Sequence, residues 1–151
     1  MMRSAKLVRL VPALAFAGLL AACQTLGTDH LIASAAPSEM PQAVAEAIAA
    51  DLVEQFGKDV GPATGTIVLP ADRSPFRAAL EASLRAKGYA IGSGGEGRAV
   101  PIAFVVDRAD GEVMARLSTE ALDLTRTYRE TATGAQPSSP VSINRRDRGK
   151  G

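Results

Sequence analysis

The first twenty-three residues limit what this chain can become more than any later stretch. Arg3, Lys6 and Arg9 form a basic head, and Leu10 to Leu20 follow as an uncharged run broken only by Pro12 and Gly18. The run closes on Leu20-Ala21-Ala22-Cys23. A basic region, a short apolar region and small residues before a cut describe a secretory signal. The run is too short for a spanning helix, which needs ~20 apolar residues. The tetrapeptide matches the lipobox, which predicts cleavage between Ala22 and Cys23 and a diacylglycerol on the Cys23 thiol. That covalent acyl lipid is the only non-protein group expected; no cofactor or metal is. Two or more acyl chains anchor a protein stably where one does not. Gln24 after the cysteine points to the outer membrane, with the protein facing the periplasm.

The chain divides accordingly: residues 1–22 as signal, 23–40 as lipidated tether, 41–132 as an α+β domain and 133–151 as an extended basic tail. Losing three basic residues with the signal turns the formal charge from +1 to −2. A mildly acidic body with a basic tip lacks the positive footprint of nucleic-acid binding. Cys23 is the only cysteine, so an exported domain of this sequence has no disulfide and rests on its core alone.

Gln24 to Met40 is rich in Thr, Gly, Ser, Ala and Pro and reads as linker. It contains His30, the sole histidine, with no partner for a metal site. From Glu39 to Phe56, Val44, Ile48, Leu52 and Phe56 recur at helical spacing. Ser38 is the expected cap, Gly57 the expected stop, and Glu46, Asp51 and Glu54 the outer side. Thr66 to Pro70 reads as a short strand. Ser74 then caps a helix that starts on Pro75, carries Phe76, Leu80 and Leu84 on one stripe, and closes at Gly88. Tyr89 to Ile91 completes a strand–helix–strand unit.

Gly92 to Gly97 matches G-x-G-x-x-G in form only. A nucleotide site needs a helix to open directly afterwards, whereas Arg98 to Asp107 alternates like a strand. Asp110-Gly111 predicts a tight hairpin, with a return strand through Val113, Ala115 and Leu117. A third strand follows from Ala121 to Thr131, with Leu122, Leu124 and Tyr128 pointing inward. The fold class expected is α+β: two helices packed on a mainly antiparallel sheet, followed by a disordered C-terminal tail. No Ser–His or Cys–His pair is available for catalysis, and Asp107 and Asp110 belong to a turn rather than a paired-carboxylate site. No enzyme activity is expected.

The lipobox with Gln24-Thr25, the helix Phe76 to Leu84 with Gly88-Tyr89, the stretch Asp110 to Ser118, and the end from Tyr128 through Thr133 to Pro140 and Ser142 to Arg146 resemble the TrbH family of conjugal transfer lipoproteins. The resemblance covers nearly all of the chain after the signal. It implies a non-enzymatic component of the mating-pair-formation apparatus, a type IV secretion system, working with other proteins of its outer-membrane core. In some related systems a second cysteine links neighbouring subunits. This chain has none, so its contacts are noncovalent. A lipoprotein that binds or activates a peptidoglycan enzyme is the alternative of a different class. The expected partner contact is the tail: Val141 and Ile143 face one way on an extended chain and add along a neighbour's strand edge, while Arg145 and Arg146 reach acidic residues at its rim.

Overall fold

The computed structural model describes residues 31–61, 65–93 and 99–146. Among these, two helices and eight strands follow in the order α1 Gln42–Val60, β1 Thr66–Val68, α2 Pro75–Ala86, β2 Ala90–Ile91, β3 Ala99–Pro101, β4 Ala103–Ala109, β5 Glu112–Ser118, β6 Leu122–Thr131, β7 Gly134–Pro137 and β8 Ser142–Arg145. The α+β class is as expected, with a mainly antiparallel sheet.

Helix α1 buries the stripe read from the sequence, Val44, Ile48, Leu52 and Phe56, together with Ala45, Ala49 and Val53. Its ends differ from the expectation. The N-cap is Pro41, which makes no side-chain bond; its carbonyl accepts from the Val44 and Ala45 amides. Ser38 lies too early because Met40, preceding a proline, is steered away from helical backbone. Nor does Gly57 stop the helix. Tyr89 packs on Phe56 with the rings tilted 53° and their centroids 5.7 Å apart, and its hydroxyl donates to the Gly61 carbonyl at 3.2 Å. The last turn is therefore held, and Gly61 ends it at φ 76°.

Helix α2 matches its local signals. Ser74 Oγ accepts from the Arg77 amide at 3.2 Å, Pro75 opens the helix, and Phe76, Leu80 and Leu84 are fully buried. The helix packs chiefly against α1, and Phe76 meets Phe104 of β4 edge to face at 5.2 Å. The strand–helix–strand unit forms with β1 and β2 parallel.

Alternation predicts one strand from Arg98 to Asp107. The chain instead changes sheets within it. β3 pairs in parallel with β1, the Ile102 amide still bonds Val68, and β4 then pairs antiparallel with β5. A three-stranded sheet of order β2-β1-β3 and a larger sheet of order β4-β5-β6-β7, with β8 also on β6, result. The β4–β5 turn has positive φ at both Asp110, 54°, and Gly111, 79°, the two-residue hairpin geometry that Asp-Gly favours.

The tail requires the main correction. Its low apolar content predicts a loose segment from 133, yet β7 pairs with Thr131 to Tyr128 and β8 with Thr125 to Leu122 of β6. Together they form one interrupted return strand. Between Pro137 and Ser142, four residues oppose only Arg126 and Thr127, so the segment bulges. Gly134 lets this strand begin close against α1: a Cβ there would sit 3.2 Å from the Ala43 carbonyl, at φ 154°. Residues 147–151 lie outside the described residues.

Candidate functional site

No helix among the described residues is long and apolar enough to cross a membrane, which says nothing of β-barrels. Ala22, Cys23 and His30 lie outside the described residues, as does most of the glycine-rich run. That run leads into β3, not into a helix. Asp107 and Asp110 are exposed on the hairpin, with an Asp107 carboxylate oxygen accepting from the Arg108 amide at 2.9 Å. Among the described residues no three His, Cys, Asp or Glu side chains are grouped to hold a metal.

The chemistry-bearing side chains instead tie chain ends to the sheet. Arg126 lies on the same face of β6 as Leu124 and Tyr128 by the period of a strand. Its Nη1 donates to both carboxylate oxygens of Asp51 at 3.0 Å, and Tyr128 Oη donates to Asp51 Oδ2 at 2.7 Å. Helical periodicity puts Asp51 on the outer side of α1; it turns toward the sheet because β6 offers it this charged donor. Burial, reinforced by the Asp51 carboxylate, pushes the Tyr128 hydroxyl far above its ordinary value, so Tyr128 is a permanent donor. Arg126 Nε donates to the Ser139 carbonyl at 2.9 Å, and Ser139 Oγ accepts from the Thr127 amide at 2.9 Å. One arginine thus fastens α1, β6 and the bulge together.

On the opposite face Asp123 is almost fully buried. Burial alone would raise its carboxyl pKa, but hydrogen bonds from Ser118, Arg116 and Arg146 outweigh that and hold it below the ordinary range. Arg116 Nη2 approaches at 3.0 Å, and Ser118 and Arg146 also bond it. Arg145 pairs with Asp59 near the end of α1. The two arginines expected to reach acidic residues on a partner therefore reach Asp59 and Asp123 of their own chain. Ile143 sits opposite Leu124 in the β6–β8 ladder and remains 39% exposed, while Val141 packs partly against the core. Sequence reasoning misses the roles of Asp51, Arg126 and Asp123. The one signal for Arg126 is a charge placed in register with inward residues.

The other end of the described chain arrives at the far edge of the same sheet. Ala35 bridges β4 in parallel at Val105: its amide donates to Phe104 at 3.0 Å, and its carbonyl accepts from Val106 at 2.8 Å. Ser34 Oγ accepts from the Phe104 amide at 3.0 Å. Cys23 precedes Ser34 by eleven residues, a span of at most ~40 Å.

The family model described as "Conjugal transfer protein TrbH" matches residues 26–147. A relative named "Probable conjugal transfer protein TrbH" from Sinorhizobium fredii (strain NBRC 101917 / NGR234) is 40% identical over 137 residues, which is 85% of this chain and 92% of the relative. No solved structure matches.

Proposed function

The chain belongs to the TrbH family of conjugal transfer proteins, and from that premise we propose that it is a lipid-anchored structural component of the mating-pair-formation apparatus. Membership gives it a role in conjugative transfer alongside other transfer components. The finer reading joins three elements. Cys23 carries the acyl lipid, the outer membrane receives it, and the domain works by binding at the outer-membrane core of the secretion system rather than by catalysis.

The observation that supports this reading is the way the tether ends. Residues 34–35 are stitched to the β4 edge by three hydrogen bonds, so the domain is held from one defined side. A chain lipidated at Cys23 would hold that edge within ~40 Å of the membrane surface.

The test uses a transfer-proficient plasmid deleted for this gene and complemented in trans. The wild-type protein should take up radiolabelled palmitate, fractionate with the outer membrane and restore transfer. Cys23→Ser should lose the label and the fractionation, and transfer should drop to the level of the deletion. Full complementation by unlabelled Cys23→Ser would overturn the anchor. A deletion that leaves transfer intact and alters the cell wall would favour the peptidoglycan-enzyme reading.

A further inference from the structure

The β-ladder fixes which backbone groups the C-terminal strand leaves unused. Residues directly opposite in an antiparallel pair alternate between exchanging hydrogen bonds and facing away. The Ser138 amide bonds the Thr127 carbonyl, and the Arg146 amide bonds Ala121. The odd-numbered residues of β6 therefore face β7 and β8. With Thr125 opposite Ser142 and Asp123 opposite Asn144, Ser142 and Asn144 turn their peptide groups inward. Val141, Ile143 and Arg145 turn theirs outward, and among the described residues nothing pairs with them.

We infer that this outward edge is a self-association surface, on which a second copy of this chain pairs antiparallel through its own Val141–Arg145 edge. The geometry is self-complementary. About a two-fold axis at Ile143, residue 143 faces residue 143 of the second copy and residue 141 faces residue 145. All three positions are the outward-facing ones, so every free donor meets a free acceptor. No proline lies from 141 to 145, while Pro140 and the bulge stop the pairing from running further. The contact therefore closes as a dimer and does not propagate.

Side chains agree with the backbone. Among the described residues three large apolar side chains are exposed, Val60, Met114 and Ile143. Ile143 lies at the centre of this edge, and Val60 follows Asp59, the partner of Arg145. Pairing covers Ile143 with its own counterpart. The two Arg145 side chains fall at opposite ends of the paired segment, about 13 Å apart for four residues of strand, and each keeps its Asp59. Their like charges are thus separated and neutralised.

The full-length protein, extracted in mild detergent, provides the test. Ile143→Cys should form a disulfide-linked species of twice the monomer mass on mild oxidation, because hydrogen-bonded partners across a strand pair lie ~5.5 Å apart at Cα, within disulfide range. Met114→Cys, on the sheet face away from the helices, should remain monomeric. Ile143→Pro removes only an outward N–H, which an edge strand tolerates. It should still melt in one cooperative transition, as a folded domain does, and shift the untreated protein from dimer to monomer in light scattering. A wild-type protein that is monomeric at all concentrations, or an Ile143→Cys that links no more than Met114→Cys, overturns the inference. An adduct of Ile143→Cys with a different protein overturns it too, by showing that the edge serves another partner.

Discussion

The two edges of the large sheet are finished in opposite ways. On β4 the residues that turn outward are Phe104, Val106 and Arg108, and each of their amides has an acceptor: Ser34 Oγ, the Ala35 carbonyl and the carboxylate of Asp107. On the C-terminal side, the amides of Val141, Ile143 and Arg145 have no acceptor among the described residues. Edge strands invite pairing unless blunted. This chain closes the edge next to its tether and leaves the far one available over five residues. With the proposed lipid on Cys23, a domain held by one side and open on the other would meet a partner without letting go of the membrane.

The supports of the two edges also differ in kind. The tether side is held by short backbone and hydroxyl bonds. The C-terminal side adds charge to its backbone ladder, through Arg126 on Asp51, Arg145 on Asp59 and Arg146 on Asp123. That difference can be broken experimentally.

The largest effect is one that should not discriminate. Leu80 of α2 is fully buried in the hydrophobic core, and Leu80→Ala should destabilise the domain by ~2–5 kcal/mol. Calorimetry should show a single cooperative transition at lower temperature; a transition that splits would mean the edges fold separately. Next, Arg126→Ala removes the donor that satisfies Asp51 and Ser139, at a cost of roughly 1.5–3 kcal/mol. Limited proteolysis should then cut near Ser138–Val141 well before the tether. Early cutting near Ser34 instead would refute the assignment of Arg126 to one side.

Helix α2 is legible in the sequence because its signals are local: Ser74, Pro75 and Gly88 act on the turns next to them. The β4–β5 hairpin is legible for the same reason, through Asp110-Gly111. What escapes is nonlocal. Residues 134–145 carry few apolar side chains, and they are ordered by β6, by the close approach of Gly134 to Ala43 and by carboxylates supplied from elsewhere in the chain. Asp51 reads as an outer residue because helical periodicity shows where apolar residues gather, not where a charged partner waits. The likeness of residues 133–146 to the TrbH pattern is visible, but the pairing that such a pattern serves is not.

Smaller effects separate the edges further. Ser34→Ala removes one acceptor from the Phe104 amide and should cost ~0.5–1.5 kcal/mol. It should speed proteolysis of the tether while leaving Ser138–Val141 intact; the reverse pattern would contradict the division of labour. Acid should act the other way. Because the Asp123 carboxyl is held below its ordinary value when folded, its contribution is complete above the unfolded value near ~4 and is lost as pH falls through the folded value. Melting temperature should therefore be flat from neutral pH to about 5 and fall below ~4, with β8 loosening first. In Asp123→Asn that part of the acid dependence should vanish; an unchanged acid limb would place the sensitive group elsewhere.

The most direct measurement of the contrast is residue-resolved amide exchange by NMR on the Ile143→Cys protein, kept reduced and dilute enough to be monomeric. Phe104 and Val106 should exchange slowly although they sit on an outermost strand, because the tether caps them. Cys at position 143 and Arg145 should exchange at nearly unprotected rates, while Ser142 and Asn144 between them stay protected by β6. Protection at 143 and 145 equal to that at 104 and 106 in the monomer would contradict the account.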